Sequence, residues 1–136
     1  MPKEILEDIG EKELIKRLEK FMPKNQVSDD CALIKTKNNN LLVNNDSLVE
    51  NVHFNDITIC PQDLGWKAVV SNISDLLSSG SKKTIGIMIS LILPTKTDWD
   101  WVEELYEGIN KALKEYGGII LGGDCSKGNQ KAISIT

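Results

Sequence analysis

"PQDLGWKAVVSNISDLLSSGSKKTIGIMISLILP", residues 61–94, changes its hydrophobic period once, and that change decides the fold class. From Pro61 to Gly80 the residues Leu64, Ala68, Val69, Asn72, Ile73 and Leu76 recur at helical spacing on one face. Pro61 suits a first helical position and Gly80 a C-terminal cap. The following "TIGIMISLILP" alternates, is rich in β-branched residues and ends at Pro94, as a central strand would. A long helix followed by a central strand predicts helices laid on a sheet.

The flanking sequence extends this pattern. Downstream, Thr97 with Asp100 resembles a capping box, Val102, Leu105, Ile109, Ala112, Leu113 and Tyr116 line one helical face, and Gly117 and Gly118 end the helix. "IILGGD" reads as a strand breaking into a glycine turn, and "KAISIT" as the start of another strand. No turn or stop signal follows, so the chain is expected to continue into a further domain. Upstream, Leu14, Ile15, Leu18 and Phe21 predict an amphipathic helix over Glu11 to Met22, stopped by Pro23. "CALIKTKNNNLLVNND" predicts a hairpin around its asparagine-rich turn, with Leu41 to Val43 a buried strand that ends on Asp46. Strands alternating with two long helices give an α/β or α+β class, the helices on one face of a sheet, in a single domain over residues 1–136.

Composition removes several functions. The net charge is -4 with a pI near 5.0, which argues against a nucleic-acid footprint, because phosphate backbones select clustered Lys and Arg. An anionic ligand would need metal help. The longest apolar run, residues 85–93, is too short to span a bilayer, and the charged N-terminus does not resemble a signal peptide. A soluble, cytoplasmic protein is expected. Cys31, Cys60 and Cys125 are odd in number and far apart, so neither disulfides nor a zinc site is indicated.

The acids are placed unusually. Asp29 and Asp30 precede a strand, Asp46 ends the next, Asp124 follows "IILGG", and Asp75 lies one helical turn from Asn72. Carboxylates with amide oxygens form the hard-oxygen set that Mg²⁺ prefers and uses to bridge acids to phosphates. The glycines before Asp124 would let backbone N–H groups approach phosphate. Taken singly, each acid also reads as a turn or cap residue, and His53, Trp101 and Tyr106 as surface or packing residues. A Walker loop is excluded: Gly123 and Gly128 have its spacing, but Asn129 and Gln130 follow where Lys and Ser or Thr are required.

In order and spacing, "SDDCALI", "NNDSLVENVHF", "PQDLGWKAVVSNISDLLSSGSKK" and "GGIILGGDCSKG" resemble the N-terminal half of the thiamine-monophosphate kinase family, within the aminoimidazole ribonucleotide synthetase-like superfamily. The resemblance implies a mixed β-sheet with two long helices on one face. It also implies Mg²⁺-dependent transfer of the γ-phosphoryl of ATP to thiamine monophosphate, giving thiamine diphosphate. By the same resemblance, Asp30, Asn45, Asp46, Asp75 and Asp124 would hold Mg²⁺. Tyr106, Gly123 and Asp124 would contact ATP, and His53 the thiamine phosphate. No nucleophile or general base is expected, since phosphoryl transfer depends mainly on positioning and charge neutralisation. A homodimer paired through the sheet is implied as well. Ser28 stands where the family has Gly, and Asn44 and Asn45 where it has hydroxyl residues. The alternatives are a non-catalytic module that binds nucleotide and Mg²⁺ or dimerises, and a superfamily member with a different acceptor.

Overall fold

The computed structural model describes residues 4–24, 26 and 30–136. Its elements are α1 (Leu6–Leu18) with a short 3₁₀ turn (Glu19–Phe21), β1 (Ala32–Lys35), β2 (Asn40–Val43), β3 (Asp46–Val49), α2 (Pro61–Ser78), β4 (Gly86–Leu93), α3 (Trp99–Tyr116), β5 (Ile119–Lys127) and β6 (Ala132–Ile135). β3, β6, β4 and β5 form one mixed sheet in that order, antiparallel except for the parallel pair β4–β5. This is the mixed α/β arrangement expected, with α2 and α3 together on one face.

Alternation along β4 explains the layering. Ile87, Ile89 and Leu91 are buried and Met88, Ser90 and Ile92 exposed, so one pleat faces the helices and the other faces away. The inner pleat joins Leu48, Ile133 and Ile135 to Leu64, Val69 and Ile73 of α2 and to Leu105, Ile109 and Ala112 of α3 in one core. The two helices touch backbone to backbone: a β-carbon on Gly65 would overlap the Leu105 carbonyl, and one on Gly108 the Gln62 carbonyl. α2 ends as predicted. Gly80, at φ +90°, donates to the Leu77 carbonyl and Ser81 to that of Leu76, a Schellman motif. Gly117, at φ +88°, ends α3.

Five details differ from the sequence reading. The opening helix begins at Leu6, breaks its regularity at Gly10 and has no buried residue. Its early start is favoured by Asp8, whose carboxylate accepts the Ile5 N–H at 3.1 Å. β2 is not buried, because it pairs only with β1 in a separate two-stranded ribbon, leaving Leu41 exposed. Asp46 opens β3 instead of ending β2. Between them Asn44 turns inward, its Nδ2 donating to the Asn72 carbonyl at 3.1 Å. Thr97 caps nothing: its hydroxyl is buried without a partner, and Asp98 is the N-cap residue. "IILGGD" does not turn. β5 runs on to Lys127, and Gly122 at φ +151° absorbs a register shift against β4 as a bulge. Among the described residues no helix is long and apolar enough to cross a membrane.

Candidate functional site

The polar residues of interest fall into three groups, each fixed by a different part of the fold. The first lies where α2 passes the β2–β3 junction. Asn44 is buried, and besides the Asn72 carbonyl its Nδ2 reaches Asp75 Oδ2 at 3.4 Å. Asn72, 3 % exposed, donates to the Ala68 carbonyl at 2.8 Å, while its Oδ1 is enclosed with no partner. An unsatisfied buried acceptor costs about 1–3 kcal/mol, so a cation-seeking oxygen here calls for a reason. Asp46 begins β3 opposite Ile135 and accepts the Ser47 N–H at 2.9 Å. Asn45 Oδ1 accepts the Thr136 hydroxyl at 2.9 Å. Asp30 lies exposed just before buried Cys31; Asp29 and Ser28 fall outside the described residues.

The second group is the turn after β3. His53 is exposed on a depression of about 300 Å³ lined by Asn51, Val52, Phe54, Asn55 and Thr58. Its Nδ1 accepts the Val49 N–H at 3.0 Å, so the neutral ring carries its proton on Nε2. That nitrogen is a donor suited to an anion.

The third group lies within β5. Its register pairs Gly123 with Ile89 and Cys125 with Leu91, on the helix side of the sheet. Tyr106 of α3 sits beside this stretch: partial burial, and then the neighbouring Cys125, push its phenol above the usual range. Asp124 pairs with Ser90 and therefore lies on the opposite face. It accepts the Ser126 hydroxyl at 3.0 Å. The same cross-strand row continues through Ser134 to Ser47, whose hydroxyls are hydrogen-bonded to each other.

Register thus separates the acids. Asp46, paired with inward-facing Ile135, and Asp124 lie on opposite faces and opposite edge strands. Three interstrand steps of about 4.8 Å put their backbones about 14 Å apart. Within a copy their side chains therefore leave from different strands and different faces of the sheet. Among the described residues no three His, Cys, Asp or Glu side chains converge on a point, and no Lys or Arg forms an ion pair with Asp46, Asp75 or Asp124. The donors fit Mg²⁺ in kind: the carboxylates of Asp46, Asp75 and Asp124 and nearby amide oxygens, of which Asn72 Oδ1 is buried with no partner.

Lys131, Glu50, Asp56 and Trp101 form a fourth polar cluster that the sequence reading missed. Lys131 pairs with Glu50 at 3.2 Å and with Asp56, and sits 4.9 Å from the centre of the Trp101 ring. These partners are 75 and 81 residues away, beyond any local pattern. Asn72, a lone amide on an apolar helical face, was visible as an anomaly.

Residues 28–136 match the family described as AIR synthase related protein, N-terminal domain. The chain belongs to this family. A thiamine-monophosphate kinase of Prochlorococcus marinus is 51 % identical over 133 residues, covering 98 % of this chain and 40 % of its own length. The structure of AaThiL complexed with AMPPCP and TMP covers 98 % of the chain and 42 % of its own, with a TM-score of 0.90 and 33 % identity. The thiamine monophosphate kinase of Aquifex aeolicus gives a TM-score of 0.84 at 32 % identity, over 97 % of this chain and 42 % of that one. The chain therefore spans about two fifths of the length of these relatives.

Proposed function

We propose that this chain is the N-terminal, nucleotide- and metal-binding domain of a cytoplasmic enzyme that transfers the γ-phosphoryl of ATP to thiamine monophosphate. The observation that carries this reading is the match, over 98 % of the chain, to a relative described in complex with AMPPCP and TMP. The product is thiamine diphosphate, and the rest of the active site comes from a further domain.

Bound Mg²⁺ would neutralise the phosphates and align the two anions, which is most of what phosphoryl transfer needs. Asp30, Asn45, Asp46 and Asp75 would hold ions near α2, while Asp124 would hold another on the nucleotide phosphates. Gly123, whose side-chain position is taken by the Ile89 carbonyl, would meet those phosphates only through its backbone at the free edge of β5, and Tyr106 would pack beside the nucleotide there. His53 donates from Nε2 to the phosphate of thiamine monophosphate. None of these residues breaks or forms a covalent bond. The roughly 14 Å between Asp46 and Asp124 favours separate ions over a shared one.

A homodimer built through the outer face of the sheet completes the proposal. That face exposes Met88 and Ile92, with Leu121 beside Gly86, around the serine row. A second copy would cover it, whereas a monomer by light scattering at tens of micromolar would count against the pairing.

The test of function is titration calorimetry with a non-hydrolysable ATP analogue, with and without Mg²⁺, followed by assay of thiamine diphosphate formation by the protein carrying this chain. Binding that requires Mg²⁺ and is lost in Asp46→Ala and Asp75→Ala, but not in Asp8→Ala, is expected. Equal effects at all three acids would sink the site assignment. Mg²⁺-dependent ATP turnover without thiamine diphosphate would sink the acceptor.

A further inference from the structure

The turn that carries His53 is held from both sides by one buried ammonium. Glu50 and Asp56 stand three residues before and three after His53, and Lys131 Nζ pairs with both. Lys131 is only 9 % exposed. Its backbone N–H donates to Glu50 Oε2 at 3.0 Å, and its carbonyl accepts the Glu50 N–H at 2.9 Å. Trp101 closes the other side, its indole N–H donating to Asp56 Oδ1 at 3.1 Å beneath the ammonium. Gln130 Nε2 adds a bond to the Glu50 carbonyl at 2.6 Å.

Inside this bracket the chain makes a tight reversal. Asn51 takes φ +62°, where a non-glycine residue needs support, and its N–H donates to the Phe54 carbonyl at 2.7 Å. Phe54 is buried in the core. The His53 N–H donates to the Val49 carbonyl at 2.8 Å, and the Val49 N–H returns to His53 Nδ1 at 3.0 Å. Lys67 Nζ adds a contact to the His53 carbonyl at 3.4 Å. Ring orientation and tautomer thus depend on this reversal staying closed. Two carboxylates six residues apart would repel each other without a cation between them.

We infer that Lys131 is a positioning residue for substrate recognition: its ammonium draws Glu50 and Asp56 together, closes the turn and holds His53 with Nδ1 as acceptor and Nε2–H directed at the acceptor phosphate. The inference rests on the reading of His53 given above. It assigns a task to a lysine that touches neither nucleotide nor metal ligands. A bidentate Arg would keep the charge and much of the bridge, whereas Met keeps the length and loses the charge.

The single histidine of the chain makes the test specific. In ¹⁵N NMR of the chain, the wild type is expected to show the Nε2–H tautomer predominating. Lys131→Met should mix the tautomers and raise amide exchange at Val49, Asn51 and His53 by about tenfold or more, with Ile89 and Leu105 unchanged; Lys131→Arg should restore both signals. Unchanged turn amides, or equal acceleration at Ile89 and Leu105, would overturn the inference. Should Lys131→Met fail to fold, Asp56→Asn removes one arm at a half-exposed site, and a tautomer balance unmoved by it would overturn the inference as well. In the protein carrying this chain, Lys131→Met should raise the KM for thiamine monophosphate by about tenfold while that for ATP changes less than about twofold. A KM for thiamine monophosphate unaffected by Lys131→Met, when His53→Ala raises it, would refute the positioning role. No effect of His53→Ala itself would instead refute the substrate reading, with the NMR result standing apart.

Discussion

In α3 the apolar positions Leu105, Ile109 and Ala112 are fully enclosed, whereas in α1 the corresponding stripe leaves Ile15 and Leu18 42 % and 39 % exposed. Both helices carry an apolar face at helical spacing, and both were predicted from it. Periodicity reports which face of a helix seeks a partner, and only long-range topology decides whether that face finds one. α3 meets α2 and the sheet. No residue of α1 is buried.

The largest effect should come from breaking the enclosed side. Ile109→Ala removes a side chain of no measurable exposure from between α2 and the sheet, and should cost about 2–5 kcal/mol in urea unfolding. Gly108→Val should be of similar severity, because the added side chain has no space against the Gln62 carbonyl. A cost below about 1 kcal/mol for Ile109→Ala would mean that the core relaxes as easily as the surface, and the contrast with α1 would fail.

The same contrast explains what could be read from the sequence. α2, β4, α3 and their glycine ends were legible because period, proline and glycine signals are local. Gly122 was misread as a turn because a bulge and a turn begin with the same residues, and the register of β4 decides between them. Asp46 changed strands because inward-facing Asn44, bonded to a carbonyl 28 residues away, interrupts the chain before it. The candidate site residues were legible one at a time through family resemblance. Their division between the two faces of the sheet was not, because it follows from a strand order in which β6, the last strand, lies between β3 and β4.

A middle-sized effect should appear with pH at the Lys131 cluster. The hydrogen bond from Lys131 holds the Asp56 carboxyl below its usual range, so this contribution is complete above pH 3.8 and fades as the pH falls through the depressed value. For Lys131, burial works against the charge, but hydrogen bonds to Asp56 and Glu50 outweigh it and the ammonium titrates above 10.5. Its contribution is complete below that pH and lost as the pH rises through the raised value. The pair is therefore intact across the neutral range. Asp56 is half exposed, and solvent screening limits its share to less than about 1 kcal/mol. Urea unfolding at pH 7 and pH 3 should show Asp56→Asn destabilised at pH 7 and the gap to the wild type narrowed at pH 3. An undiminished difference at pH 3 would mean that shape, not charge, ties Asp56 in place.

The smallest effect belongs to α1. Leu18→Ser exchanges a side chain that is already partly in water, and within this chain the change should stay within about 0.5 kcal/mol. Arg17, bonded to Glu4 at 2.6 Å and to Glu13 at 3.0 Å, forms an exposed ion-pair network on the same helix. Salt screens such pairs, so Arg17→Ala should matter less still in 0.5 M NaCl than at low salt. On the proposed reading, the informative comparison is between this chain and a longer protein that includes it. A Leu18→Ser cost that stays small here but grows to core size there would show that the stripe of α1 is completed by chain beyond residue 136. A cost equal to that of Ile109→Ala in this chain alone would mean that α1 packs on the domain in solution, and the two helices would no longer differ.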